Sequence, residues 1–371
     1  MASMERQDFF VLIKLMRPLL IILICWAHVP FLYGFYSQSV DAASVQTVFG
    51  VFLRDVVSRG GVPILTVVSG YLAYLSLQRK PYLTFVRDKA QRILLPYILW
   101  NLICLVYILW VHHTFGYTIN AKVLEYQGLT EFIKDVLAIN RMPINPPIYF
   151  LRDLFLILLL CPVFALLSRN KVVAAVVLVF YATYMFNTVT PHFGGYGILY
   201  RSDMPFFFFL GYLASRYDFT LPVLSQRAII AGFALLAVFS VLTAFYLAHT
   251  KPELLTYLKY RPLIGIVYLF ALPCMMSFLL PRADGAAGRF LAKLSGYSMV
   301  IFLSHQLLVY SLNGLVPSLG LSMGNRSSLM SQVIFLLVYT GLCILVGVVL
   351  KTLYLRSSAL LGRALPAAKP L

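Results

Sequence analysis

Long apolar segments alternate with short polar segments along nearly the whole chain. Ten apolar runs of about 16 to 26 residues are each long enough, or nearly so, to cross a hydrocarbon core as a helix. They lie near Leu15–Tyr36, Gly61–Leu77, Ile93–Val111, Pro147–Ser168, Val172–Val189, Tyr196–Ser215, Ala228–Ala248, Leu263–Leu280, Tyr297–Val316 and Met330–Leu355. The pattern predicts an all-α polytopic membrane protein built as a bundle of about ten transmembrane helices.

Two of these runs contain residues that interrupt helices. Gly60, Gly61 and Pro63 open the second run, and the sixth carries Arg201 and Asp203 before its phenylalanines. Such positions are tolerated where neighbouring helices or water satisfy the backbone, so we expect either span to be broken or partly re-entrant. No repeat or low-complexity linker divides the chain. We therefore expect a single membrane domain over residues 1–371, with its spans within about 15–355.

Composition agrees with this pattern and excludes other classes of protein. Apolar residues make up 61% of the chain and charged residues 12%, with a mean hydropathy of +0.85. A soluble domain is about half apolar and a quarter charged, and disordered chains are poorer still in apolar residues. An outer-membrane barrel would alternate apolar and polar residues instead of running apolar for twenty positions.

The net charge of +17 is informative mainly about orientation. Nineteen of the thirty Lys and Arg residues fall in segments on the same side as the N terminus, whereas eight of the thirteen acidic residues fall on the other side. Cytoplasmic loops of membrane proteins are enriched in Lys and Arg, so both termini are predicted to be cytoplasmic. We expect membrane lipid as a partner and no nucleic acid.

The five cysteines offer no metal chemistry. Each lies in an apolar stretch, without a CxxC motif or a histidine at metal-ligand spacing. They are predicted to be small buried apolar residues, with no metal site and no permanently bound cofactor.

Two histidines lie inside the predicted spans, where titratable groups are costly and invite a functional hypothesis. His28 follows Arg17 by eleven residues, and His305 follows Lys293 by twelve, which places both about 16–18 Å from the inner boundary. A neutral histidine can take a proton from a hydroxyl near neutral pH. The alternative is a histidine that bonds a backbone carbonyl between packed helices.

A basic segment on the inner side forms a second candidate site. Lys89 and Arg92 share a helix face, Asp88 can hold Arg92 in place four residues on, and Arg17 stands in the opening turns of the first span. Such a face can bind a polyphosphate. Topology alone would also place basic residues here.

A third candidate is an Arg–Asp pair at the outer end of the fourth span. Arg152 and Asp153 either anchor that end at the interface or line an outward-facing cavity together with Asp203 and Arg201. Several tyrosines nearby could stack on a sugar. His305 is assigned to the same cavity.

The order of short motifs along the chain resembles the acyltransferase-3 family of membrane O-acyltransferases. No single motif is specific, but their order and spacing together are. The similar segments are Leu15–Leu19 with Trp26–His28, Val67–Leu72, Lys89–Tyr97, Tyr149–Leu154, Phe209–Tyr212 and Tyr297–His305. The chain is similar in particular to stand-alone exopolysaccharide O-acetyltransferases of the xanthan or succinoglycan type, because no esterase-like domain is attached.

This resemblance implies an enzyme of the bacterial inner membrane that moves an acetyl group from cytoplasmic acetyl-CoA to a hydroxyl of an extracytoplasmic or lipid-linked glycan. His28 would be the catalytic residue, and Arg17, Lys89 and Arg92 would contact acyl-CoA. Two departures from the family pattern stand out: Lys89 occupies a position where arginine is usual, and no carboxylate follows His28 within a few residues. Asp55, Asp153 and Asp203 are the candidates to orient His28.

Two other classes share parts of this pattern. A secondary transporter also buries histidine and arginine between helices, but usually shows inverted repeats, which we do not find. A polytopic glycosyltransferase that uses a lipid-phosphate donor would need an acidic residue at the outer end of the first span, where Asp41 stands.

Overall fold

The structure is a computed structural model of the full chain. It describes residues 6–29, 44–120, 124, 128–139, 142–186, 192–193, 196–197, 201–315 and 328–360. Within these residues the fold is helical, apart from a two-residue antiparallel ladder between His192–Phe193 and Tyr196–Gly197.

Sixteen α-helices are present in the described chain. They are α1 Arg6–Trp26, α2 Val45–Val51, α3 Gly61–Leu77, α4 Tyr82–Lys89, α5 Leu95–Phe115, α6 Leu129–Val136, α7 Tyr149–Leu159, α8 Cys161–Leu167, α9 Lys171–Tyr184, α10 Met204–Arg216, α11 Gln226–Thr250, α12 Leu254–Leu269, α13 Leu272–Leu279, α14 Ala286–Ser295, α15 Ser298–Tyr310 and α16 Leu329–Leu360. Short π-helices cover Phe52–Val56, Ala90–Leu94 and Ser311–Leu315, and short 3₁₀ turns cover Val57–Gly60, Pro146–Ile148 and Leu280–Arg282.

Among the described residues, six helical segments are long and apolar enough to cross a membrane, and a bent pair makes a seventh. The six run over Gln7–Trp26, Val45–Leu77, Tyr82–Phe115, Gln226–Thr250, Thr256–Arg282 and Leu329–Ser357. The chain is therefore a multi-pass membrane protein. The fifth, sixth and ninth predicted spans coincide with the shorter helices α9, α10 and α15, which have 14, 13 and 13 residues.

The helix breaks differ from the sequence expectation. The second predicted span, Gly61–Leu77, is one continuous helix, α3, because Pro63 lies in its first turn, where proline is tolerated. The irregular backbone precedes this span, where a π-helix and a 3₁₀ turn join α2 to α3. The fourth span, in contrast, bends by 52° between α7 and α8, which was not foreseen. Pro162 explains the bend, because proline lacks the N–H that a continuous helix would need and disfavours helical backbone just before it.

All five cysteines are free and buried, which confirms their interpretation as small core residues. The largest apolar cluster also contains Phe164, Phe208, Phe209 and Tyr212, whose rings contact one another. Aromatic packing of this kind fills the space where α8, α9 and α10 meet.

Two glycines set the closest helix crossing in the described chain, that between α3 and α10. A Cβ added at Gly70 would lie 2.0 Å from the backbone oxygen of Phe208, and one added at Gly211 would lie 1.9 Å from the backbone oxygen of Val67. Small residues let membrane helices approach in this way. The motif glycines of the second and sixth predicted spans are therefore packing residues that face each other.

We expect Gly211→Val to destabilise the protein strongly, because the obstacle is backbone and cannot move aside. Overpacking a core typically costs about 1–3 kcal/mol, and a clash with backbone belongs at the upper end. Gly341→Ala in α16 is the control, since nothing lies within 4 Å of its added Cβ. The midpoint of thermal denaturation in detergent should fall for Gly211→Val and hold or rise for Gly341→Ala. Equal midpoints would show that the crossing does not limit stability.

Candidate active site

His28 lies at the end of the first helix and not within it. The sequence predicts a span as far as Tyr36, but α1 ends at Trp26, and residues 30–36 lie outside the described chain. In the turn that follows, the backbone N–H of His28 donates to Cys25 O at 3.0 Å. The indole Nε1 of Trp26 donates to Thr340 Oγ1 of α16 at 2.9 Å, which fixes the end of α1. His28 is half-buried at this position.

The structure brings the two predicted histidines together. The ring centroids of His28 and His305 are 5.5 Å apart, with the ring planes tilted by 47°. His305 is 1% exposed, on the buried face of α15. At this separation two imidazoles can exchange a proton through a small rotation or one bridging water.

The protonation of His305 follows from its backbone contact. Its Nδ1 lies 2.6 Å from Phe302 O, and a carbonyl oxygen only accepts, so Nδ1 carries the hydrogen. In the neutral ring Nε2 is then the basic atom. That atom is buried and has no hydrogen-bond partner in the described chain. His305 therefore agrees with both interpretations of the sequence. Its Nδ1 bonds a backbone carbonyl between packed helices, and its Nε2 still has a lone pair that could accept a proton.

A pair of buried asparagines holds α15 in register with its neighbours. Asn145 donates from Nδ2 to Leu303 O at 3.2 Å, and its backbone N–H donates to Asn101 Oδ1 at 2.9 Å. Asn101 in turn donates from Nδ2 to Tyr97 O and to Val136 O. These bonds tie α5, α6, the start of α7 and α15 together two residues away from His305.

A group of charged side chains, which we call the arginine cluster, lies beside the histidine pair. It comprises Arg54, Asp55, Arg59, Arg201, Asp203 and Arg261. Arg59 pairs with Asp55 at 3.1 Å, and Tyr257 donates to the backbone oxygen of Asp55 at 2.9 Å. Four guanidinium groups face two carboxylates here, so the cluster has an excess of positive charge.

Two Arg–Asp pairs connect this cluster to the start of α7. Arg201 binds Asp203 through two of its guanidinium nitrogens: Nε donates to Oδ1 at 2.8 Å, and Nη2 donates to Oδ2. The backbone N–H of Arg201 donates to Asp153 Oδ2 at 3.0 Å. Arg152 pairs with Asp153 at 2.7 Å. The structure thus joins Arg152, Asp153 and Asp203, which the sequence assigned to one cavity. Their contact with an acceptor stays a prediction.

The predicted partner of His28 is not a carboxylate in this arrangement. Asp55, Asp153 and Asp203 are each paired with an arginine, and no side chain in the described ranges hydrogen-bonds the His28 ring. The groups close enough to interact electrostatically with that ring are His305, Arg59 and Arg54. His28 therefore lies between a neutral base and two positive charges.

The inner basic residues lie apart from these groups. Lys89 is half-buried, with its ammonium 5.5 Å from the Phe85 ring, and Arg92 is exposed on the neighbouring π-helix. Arg17 is exposed on α1, and within the described residues no ion pair or hydrogen bond joins it to Lys89 or Arg92. Asp88 pairs directly with Lys80 in the preceding loop, and it interacts with Arg92 electrostatically, so the expectation that Asp88 holds Arg92 stays a prediction. A π-helix begins directly after Lys89 and changes the spacing between Asp88 and Arg92 from that of a regular α-helix.

Sequence reasoning missed three residues of the arginine cluster. Arg54, Arg59 and Arg261 were counted as charges of outer loops, because the apolar runs beside them began only at Gly61 and Leu263. In the structure the helical segments begin earlier, at Val45 and Leu254, and include all three arginines, each of them half-buried. Two signals were available in the sequence. Asp55 and Arg59 are four residues apart, and apolar residues lie near all three arginines.

Comparisons with known proteins agree with the resemblance. A family model described as an acyltransferase domain, of the acyltransferase-3 type, matches residues 11–352. The chain is similar to the succinoglycan biosynthesis protein ExoH of Rhizobium meliloti (strain 1021), with 32% identity over 304 residues. That match covers 79% of this chain and 76% of the relative. No solved structure matches the chain.

We expect Asp203→Asn to destabilise the protein, because it leaves Arg201 buried without its counter-charge. Removing one partner of a buried pair costs about 3–5 kcal/mol. The exposed pair of Lys80 and Asp88 provides the matched control, since Asp88→Asn should cost less than about 1 kcal/mol. Thermal denaturation in detergent measures both. The double variant Arg201→Gln, Asp203→Asn should recover part of the loss, and no recovery would contradict the pairing argument.

Proposed function

The chain belongs to the acyltransferase-3 family and is a membrane acyltransferase, and we propose that it transfers an acetyl group from cytoplasmic acetyl-CoA to a hydroxyl of a glycan. The acceptor is an extracytoplasmic or lipid-linked glycan in exopolysaccharide synthesis. The similarity to a succinoglycan biosynthesis protein supports a glycan as the acceptor. Family membership favours this activity over the transporter and glycosyltransferase alternatives.

The contact between His28 and His305 is the observation that carries this proposal. An acyl transfer to a hydroxyl needs a base for the hydroxyl proton and positive charge or donors for the carbonyl oxygen. The two imidazoles supply the base, and the guanidinium groups of Arg54 and Arg59 supply positive charge beside it. Both requirements are met at one place.

In the proposed reaction His28 takes the proton as the acceptor oxygen attacks the thioester carbon. Charge then develops on the carbonyl oxygen, which the nearby guanidinium groups stabilise. The C–S bond breaks as the tetrahedral intermediate collapses, and the proton passes from His28 to the leaving thiolate of CoA. His305 supports this cycle, because its Nε2 lone pair can accept from the N–H of protonated His28.

Donor binding is proposed on the opposite side of the bundle from the arginine cluster. Arg17, Lys89 and Arg92 would contact the phosphates of CoA, and the extended arm of the donor would carry the thioester towards His28. Arg17 and Trp26 are nine residues apart on α1, which is a rise of about 14 Å. A pantetheine arm in extended form can cover that distance, so no separate acyl carrier is needed.

The proposed setting is the bacterial cytoplasmic membrane. Ten spans, with the short helices α9, α10 and α15 inside the bundle, would leave both termini cytoplasmic. The distribution of Lys and Arg supports this orientation. It places the inner basic residues in the compartment of acyl-CoA and the arginine cluster in the outer half of the membrane.

We expect His28→Ala to abolish acyl transfer while the protein stays folded, because water cannot replace a base positioned in the bundle. His305→Gln should lower transfer strongly as well, since it removes the lone pair next to His28. His249→Gln is the matched control: its Nδ1 lies 3.0 Å from the carbonyl oxygen of Phe245, but its ring is exposed. Transfer assays with acetyl-CoA and isolated glycan would measure all three. Wild-type activity of a well-folded His28→Ala protein would contradict the proposal.

We expect Arg92→Gln to weaken acyl-CoA binding by about tenfold or more, because a charge-assisted contact contributes about 1.5–3 kcal/mol. Lys89→Arg should hold or raise the affinity, since arginine binds phosphate with two parallel donors. The control is Arg227→Gln, a change of an exposed residue at the start of α11. Binding is measured by calorimetry at increasing salt. If Arg92→Gln binds like the wild type and salt has no effect, the basic residues act in topology alone.

A further inference from the structure

A groove of about 250 Å³ separates α11 from α12. Its walls include Phe239, Thr243, Tyr246, Tyr257, Tyr260 and Arg261. Apart from two threonines, the tyrosine hydroxyls and the arginine, the lining is apolar. The volume is slightly below that of pockets for whole small molecules, which are about 300–1,000 Å³. The groove therefore fits one segment of a ligand and not an entire glycan.

The groove borders an exposed apolar surface. Tyr246 and Tyr260 in its lining are 61% and 51% exposed, and α11 also exposes Leu235, Val238 and Leu242. An apolar helix surface of this kind contacts lipid chains in a membrane protein. A ligand can therefore enter the groove sideways from the bilayer.

Arg261 is the charged residue among those that line the groove. Its Nε is buried without a hydrogen-bond partner, and no ion pair to its guanidinium occurs in the described part of the chain. The nearest charges act on it from Arg201, Asp203 and Arg59 without direct contact. A charged residue inside a membrane bundle is costly unless it meets an opposite charge. Arg261 is thus positioned to receive an anion that arrives through the groove.

We propose that this groove binds the phosphate end of an isoprenoid-phosphate-linked glycan, with the first isoprene units along the apolar walls and the phosphate on Arg261. The inference deepens the proposed function, because it rests on that function and names the lipid-linked acceptor as the substrate class. The site joins an apolar groove beside an exposed apolar surface with a guanidinium that has no direct ion pair in the described chain. An isoprenoid phosphate has an apolar part and an anionic part that match these two features.

The position of the groove favours this ligand over an ordinary anionic phospholipid. Arg261 is within electrostatic range of Arg59, and Arg59 is within range of His28. A sugar attached to a phosphate at Arg261 would therefore extend towards the histidine pair. A phospholipid headgroup in the same place would have no reacting hydroxyl to present, and its two acyl chains would not both fit a groove of this volume.

The test compares lipid binding by the full-length protein in detergent, measured by native mass spectrometry and by competition. The probes are a long-chain polyisoprenyl phosphate, the polyisoprenol of the same length and phosphatidylglycerol. We expect the polyisoprenyl phosphate to bind at least about tenfold more tightly than the other two. Arg261→Gln should remove most of this preference, whereas Arg261→Lys should keep part of it.

Two further variants separate the groove from general effects of charge and folding. Lys259→Gln removes an exposed positive charge two residues earlier on the same helix and should leave binding within about twofold. Thr243→Trp fills the groove without changing charge and should lower binding of both isoprenoid probes. Each variant is first shown to denature at the wild-type temperature, and if Thr243→Trp fails this check, Thr243→Leu replaces it.

Equal binding of phosphatidylglycerol, or a preference that survives Arg261→Gln, would overturn this inference. Its failure is distinguishable from failure of the proposed function, because lipid binding is measured without acyl-CoA. If the protein acetylates a lipid-free glycan and Arg261→Gln does not change the rate with a lipid-linked one, acyl transfer stands and the groove assignment fails. If the groove binds as expected and no acyl transfer occurs, the proposed function fails instead.

Discussion

The cost of burying charge in an apolar bundle is the constraint on which the described site depends. Each arginine that enters the bundle needs an opposite charge or a ligand, and the structure meets this need with Asp55, Asp153 and Asp203. Each of these pairs is local: Asp55 pairs with Arg59 in the segment before α3, Asp153 with Arg152 at the start of α7, and Asp203 with Arg201 in the turn before α10. The backbone N–H of Arg201 donates to Asp153 and so joins the turn before α10 to α7. The apolar contacts and the two glycines bring the helices together, while the ion pairs neutralise part of the charge buried beside the histidines.

The two histidines of this site could be predicted from the sequence. His28 and His305 were predicted at similar depth from their distances to inner basic residues, and their rings are 5.5 Å apart. Which helices are neighbours is not encoded in spacing along the chain, so their contact could not be predicted. The same holds for Gly70 and Gly211. Each glycine belongs to a motif that the sequence shows, but the reason for it is the backbone of the other helix, which a side chain would strike.

Other features of the site could not be predicted, because charge counting, hydropathy and helical periodicity do not detect them. Counting basic residues as topology signals assigns Arg54, Arg59 and Arg261 to loops, although a helix that starts earlier takes them into the bundle. Hydropathy finds apolar runs but not the bounds or type of the helices in them. It therefore does not reveal that α9 and α10 have 14 and 13 residues, or that α15 continues into a π-helix at Ser311–Leu315. The π-helix at Ala90–Leu94 changes the face shared by Lys89 and Arg92, and no simple periodicity reveals it.

The histidine partner of His28 is consistent with its charged surroundings. A carboxylate placed beside His28 would compete for Arg54 and Arg59, which lie within electrostatic range of the same ring, and would be drawn into an ion pair. A neutral imidazole does not form such a pair, and the carbonyl of Phe302 fixes His305 with its basic nitrogen free. An arginine-rich site can therefore keep positive charge available for a carbonyl oxygen only if the group that supports the base is uncharged. The absence of a carboxylate shortly after His28 in the sequence and the presence of four arginines nearby follow from the same requirement.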